Sequence, residues 1–206
     1  MKRLCTILAA ISTVFACSGN GGSIFSIGSG AAIDSLHAPW DGLDDNTIFR
    51  CFTDSDWFYF HYEVEESTLT LTEGFCKERD VDPEDRVEIF FSPREEMDIY
   101  YCAEIDPEGR IMDYKAKYYR DFDYEWDFST MEVVTKISQG RYSVSGKVSK
   151  KELSDLEIVP GKPFRMGVFR ADFRQDGSCN WYSAVPTEDK SPDFHKPDLL
   201  FSAVME

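Results

Sequence analysis

The sequence predicts an all-β fold, an antiparallel β-sandwich with one short helix. Three observations carry that prediction. A series of short runs is rich in β-branched and aromatic residues, turn-forming clusters separate them, and one stretch carries a helix-start signature. The runs fall at residues 47–53, 57–65, 86–92, 98–105, 111–117, 131–137, 142–148, 164–173, 180–184 and 199–204. Between several of them, "TDSD" at 53–56, "DPEG" at 106–109, "SQG" at 138–140 and "RQDG" at 174–177 place turn-forming residues where the chain must reverse.

Strand side chains alternate between faces, so each run assigns its own residues. In "WFYFHYEV", Phe58, Phe60, Tyr62 and Val64 form an apolar row for the core, and Trp57, Tyr59, His61 and Glu63 form a wetter one. In "DRVEIFFSP" at 85–93, Val87, Ile89 and Phe91 share the core face. Arg86, Glu88 and Phe90 point the other way, toward a polar and aromatic face. The helix is expected at Ser149, which has capping-box spacing to Glu152 ahead of Leu153 and Leu156, and "VPGKP" at 159–163 stops it.

The first residues read as a signal peptide, 1–17. Lys2 and Arg3 precede an apolar run at 4–15 that is too short for a membrane span. "VFAC" resembles a bacterial lipobox, which makes Cys17 the lipidated mature N-terminus and places the protein in a bacterial cell envelope, on the periplasmic or cell-surface side. Residues 18–30, with five Gly and four Ser, read as a flexible tether spanning roughly 20 Å. Residues 31–206 have a length suited to one domain.

Removing residues 1–17 leaves 20 basic against 38 acidic residues, a formal charge of −18. That sign argues against nucleic acid or anionic lipid headgroups as partners. Cys51, Cys76, Cys102 and Cys179 remain in an oxidising compartment, where they are either disulfide-paired in one of three ways or free and buried. The common hydrolase, zinc-protease and nucleotide-binding motifs are absent, and His37, His61 and His195 lack metal spacing. No pair of carboxylates is singled out for glycosidase work. "DGLDDN" at 41–46 offers oxygen ligands suited to calcium, or simply a turn, without EF-hand spacing.

"DRVEIFFSP", preceded by "WFYFHYEV" and followed by "YYCAEIDPEGRIMDY", resembles the family 9 carbohydrate-binding modules. "PFRMGVFRADF", "NWYSAVP" and "PDFHKPDLLFSAVME" are similar to the closing pattern of the related Bacteroidetes domains. The resemblance covers about residue 34 to the C-terminus. It implies a non-catalytic sandwich that binds the ends of sugar chains between aromatic rings, with an oligosaccharide or polysaccharide as partner and calcium in a structural role. Glu88 matches the family's strand glutamate, Asp85 the preceding aspartate, and Phe194 an aromatic position near the C-terminus. Asp82 stands where sugar-binding members carry a sandwiching tryptophan, Glu104 where they carry an arginine, and Ala184 where the related domains often have tryptophan.

A pyranose needs an aromatic ring for its apolar face and charged or amide partners for its hydroxyls. The sequence therefore predicts a site in which Phe194 is the stacking platform and His195, Glu88 and Arg170 are polar contacts. Arg170 is alternatively a strand charge paired to Asp172. The aromatic stretch 113–128, with Trp126, is either a binding loop or a loop pinned to the sheet by its rings. Three function classes follow: glycan-binding lipoprotein, a partner-binding or structural lipoprotein that has lost the sugar site, and hydrolase.

Overall fold

The computed structural model describes residues 24–40 and 42–206. The expected leader with Cys17, the tether up to residue 23, and Asp41 lie outside the described residues. The first strands are β1 (Phe25–Ile27), β2 (Ala31–Ile33), β3 (Leu36–Ala38), β4 (Leu43–Asp45), β5 (Ile48–Thr53) and β6 (Trp57–Glu65). Next come β7 (Arg86–Ser92), β8 (Tyr100–Ile105), β9 (Ile111–Lys117), β10 (Asp121–Asp123), β11 (Glu132–Ser138) and β12 (Arg141–Ser149). After helix α1 (Lys150–Asp155), the chain closes with β13 (Pro163–Phe173), β14 (Cys179–Ser183) and β15 (Phe201–Met205).

Two sheets form, almost wholly antiparallel, as the period-two pattern predicts. The ten-stranded sheet runs β10-β9-β8-β7-β13-β14-β3-β4, with β15 beside β13 and β1 beside β15; the five-stranded sheet runs β11-β12-β6-β5-β2. Strand β13 is the spine of the larger sheet. One of its edges follows β7, and the other is shared between β15 at 163–166 and β14 at 169–173.

The core lies between the sheets. Phe58, Phe60, Tyr62 and Val64 of β6 meet Val87, Ile89 and Phe91 of β7 in one buried cluster. Gly146, opposite Phe60 on β12, makes room for that ring, since a Cβ there would lie 2.1 Å from it. The expected turns form: the Asp54 carboxylate accepts from the N–H groups of Asp56 and Trp57 at 2.9 and 2.8 Å, and Asp106 does the same for Glu108 and Arg110 at 2.8 and 2.9 Å. Ser149 Oγ caps α1 by accepting from Glu152 N at 3.0 Å. Glu152 does not return to its own cap; its carboxylate accepts from Ser129 N and Thr130 N at 2.6 and 2.9 Å.

Two expectations need correction, and one open choice is decided. The stretch 18–30 is not tether throughout: β1 lies inside it and pairs in parallel with β15, burying Phe25 and Ile27. Gly and Ser dominate the composition there, but Phe25 and Ile27 alternate, and that is enough to dock a three-residue strand. Of the two alternatives for Cys51, Cys76, Cys102 and Cys179, the structure has all four free, with Cys51 and Cys102 buried and Cys76 exposed. The outward face of β7 is not open to water, because segments around Val81, Met97, Phe194, Leu199 and Leu200 cover it and make a second buried cluster with Phe90, Tyr100, Tyr114 and Phe169.

Candidate functional site

The site grows from the outward row of β7. Register places Glu88 directly opposite Glu104 on β8 and beside Phe169 on β13. Two carboxylates facing each other across strands repel. Arg86, two residues before Glu88 and therefore on the same face, reaches both. Its Nε donates to Glu88 Oε1 at 2.9 Å and lies 2.6 Å from Glu104 Oε2, an ion pair without hydrogen-bond alignment, so that oxygen accepts no hydrogen bond. Tyr114 OH donates to the other Glu104 oxygen at 2.7 Å, and Arg86 NH1 donates to the Asp82 carbonyl at 2.8 Å.

All three charged groups are buried. Burial, and then the Glu104 charge, push the Glu88 carboxyl up to about 8. One guanidinium thus faces two carboxylates, and Glu88 holds a proton near neutrality. Burial opposes the Arg86 charge, yet Glu104 and Glu88 outweigh it and keep its pKa above the ordinary guanidinium value. Over this centre, the Phe173 and Trp181 rings lie 5.4 and 5.6 Å from the guanidinium carbon. Tyr124 stands 5.2 Å from Tyr114, with the Arg79 guanidinium 4.5 Å above it, and Arg79 is held by Asp82 at 2.8 Å.

The structure separates the predicted site residues. Glu88, Phe194 and His195 share the outward face of the larger sheet, and Arg170 lies on the opposite one, beside Val87 in the inter-sheet space. Phe169 is the β13 residue opposite Glu88, so the next residue, Arg170, must point inward. Arg170 holds Asp45 and Glu66 at 2.7 Å each, with Asp172 at 3.8 Å. Phe194, expected as an open platform, is 4% exposed and stacks on Phe169 at 4.3 Å between centroids. His195 is also buried, with Nδ1 3.1 Å from Tyr100 OH; burial and then Arg120 lower its pKa to about 3, leaving the ring neutral.

Sequence reasoning passed over Arg86, although it stood in the same motif as Glu88. Phe173 and Trp181 are not among the residues the sequence singles out for the site; both are half-buried and flank the guanidinium. Alternation placed Arg86 correctly, but only register shows that it bridges two acids. The stretch 113–128 is pinned by its rings: Trp126 packs 4.8 Å from Phe128 and 5.0 Å from Tyr101, and Phe122 lies 5.3 Å from Tyr114.

For a metal, Glu78, Asp113 and Asp127 bring carboxylate oxygens within 4.8 Å of one another, a hard oxygen set that fits calcium. Burial raises Asp113 to about 6 although it accepts from Phe128 N at 2.6 Å, so a cation there would favour its charged form. Within "DGLDDN", Gly42 makes the turn in a left-handed conformation, Leu43–Asp45 form β4, and Asp45 is occupied by Arg170 and Thr47.

A half-exposed aromatic rim above a charged, hydrogen-bonding centre, on a two-sheet sandwich, defines a class. The chain has a fold like that of the family 9 carbohydrate-binding modules. A protein from Bacteroides uniformis described as a "putative carbohydrate-binding protein" superposes with a TM-score of 0.71 at 17% identity, covering 84% of this chain and 85% of its own. A family 9 carbohydrate-binding module from Caldicellulosiruptor kristjanssonii, solved with glucose, gives 0.52 at 14% identity over 78% and 76% of the two chains. The same description with cellotriose gives 0.53 at 14% identity over 78% and 75%. No protein-family model and no curated protein matches the sequence.

Proposed function

We propose that the protein binds carbohydrate without catalysis, as a lipid-anchored envelope protein held at Cys17. The observation that carries the reading is the placement of Trp181 and Phe173 around the Arg86 guanidinium, above Glu88 and Glu104. Rings offer stacking to the apolar face of a pyranose, and the charged centre offers hydrogen bonds to its rim of hydroxyls. Neutral sugar is the ligand class that needs both without a net charge. Glu88 and Glu104 are tied to one buried guanidinium and so are not disposed as a glycosidase pair flanking a bond.

A second reading has its own support: a sandwich serving a protein partner after loss of the sugar site. Glu88, Phe194 and His195 are 1%, 4% and 8% exposed, and Asp82 and Glu104 replace the family's tryptophan and arginine. Titration calorimetry against a panel of neutral oligosaccharides, with and without calcium, separates the two. Binding that Trp181→Ala weakens at least tenfold supports the sugar site, and no retention of any sugar supports the second reading. Release of reducing ends would establish a hydrolase instead. The anchor is tested by incorporation of labelled fatty acid, which Cys17→Ser should abolish.

A further inference from the structure

The outer face of the five-stranded sheet carries a second polar surface that the site above does not use. Register aligns Ile48, Glu63, Ser143 and Lys136 across β5, β6, β12 and β11, and the next row sets Arg141 between Glu65 and Ser138. Over these rows opens a cavity of about 240 Å³. Its two acids are already engaged: Glu63 holds Arg50 at 3.2 Å and His61 Nε2 at 3.4 Å, and Glu65 accepts from Asn46 Nδ2 at 3.4 Å. His61 is fixed in turn by Ser145 Oγ, 2.8 Å from Nδ1.

Lys136 and Arg141, on the same cavity wall, have no carboxylate at ion-pair distance among the described residues. Arg141 stands opposite Glu65 in register without closing an ion pair to it, and Glu63 is already held by Arg50, so three bases face two acids around the cavity. The excess of one base over the acids leaves room for a single anionic group, and the guanidinium fork suits a carboxylate. The remaining wall suits a polyol: Asn46, Ser143 and Glu63 supply donors and acceptors, and Ile48 supplies an apolar patch. The volume lies below the roughly 300–1,000 Å³ of clefts for drug-sized ligands, which leaves room for one sugar ring.

We propose that this cavity binds a carboxylated pyranose, a uronic-acid unit of a glycan, with Lys136 and Arg141 on its carboxylate and Glu63, Asn46 and Ser143 on its hydroxyls. The site lies on the opposite outer face from Trp181 and does not depend on it. Titration of the protein with trigalacturonic acid at low salt tests the proposal, with cellotriose and sodium sulfate as comparison ligands. Saturable binding is expected, weakened at least tenfold by Lys136→Met with Arg141→Met and reduced by salt, with an unchanged thermal midpoint because both side chains are exposed. Trp181→Ala should leave trigalacturonate binding intact, so failure of the neutral-sugar site and failure of this one are distinguishable. The proposal is overturned if the wild type does not bind trigalacturonate, if sulfate binds equally well, if the paired substitution has no effect, or if Trp181→Ala abolishes the binding.

Discussion

The outward rows of β6 and β7 look alike in sequence and differ in the folded protein. Tyr59, His61 and Glu63 remain half-buried or exposed, and every residue of β7 is buried. Alternation settles which face a side chain takes; it says nothing about what later segments lay over that face. On β6 the charges stay in water, where the Arg50–Glu63 pair is close to half exposed on both sides and contributes little. On β7 the same chemistry is desolvated, and each charge depends on its partner.

The comparison breaks most visibly at Arg86. Arg86→Met should destabilise the fold by about 3–5 kcal/mol in urea titration, because it leaves Glu104 buried without a counter-charge and Glu88 without its hydrogen-bond donor. Phe194→Ala should cost about 3 kcal/mol, since the ring stacks on Phe169 and its loss opens a void beneath the covering segment. A thermal midpoint close to wild type would return Phe194 to the surface.

Two pH effects sharpen the contrast. The folded-state pKa of His195 is depressed from 6.5 to about 3, so the stability it contributes is present above 6.5 and is lost as pH falls toward 3. His195→Asn should flatten that acid limb in denaturation midpoints measured across pH. The Glu88 pKa is raised from 4.5 to about 8, so its contribution is full below 4.5 and is lost as pH rises through 8. Glu88→Gln should remove that alkaline decline. The smallest effect belongs to the open face: Arg50→Met should change stability by no more than about 0.5 kcal/mol. A loss comparable to that of Arg86→Met would erase the distinction between the two faces.

Much of the sandwich was legible because long strands carry their own evidence of faces and ends. Phe58 to Val64 repeats its alternation over a full strand, and Asp54 and Asp106 mark turns by chemistry that acts locally. Strands of three residues, such as β1 and β10, are too short to show a period. The site was harder to read for a related reason. Glu88 and Phe194 reach the same face, but Arg170 misses it by one residue of parity that only the pairing of Phe169 with Glu88 defines. Burial of Phe194 comes from the segment that holds it folding back onto Phe169, a contact no local pattern encodes.

The parallel pairing of β1 with β15 also has a mechanical meaning. Phe25, Ser26 and Ile27 lie beside Ala203, Val204 and Met205, and Glu206 N donates to the Ile27 carbonyl at 3.0 Å. A pull on the chain ahead of Phe25, resisted by a ligand held on the sheets, runs along these strands and not across them. The contacts would then share the load and yield together, where a hairpin pulled at its open end unzips one pair at a time. Force entering at β1 passes through β15 to β13, the strand that ties the larger sheet together.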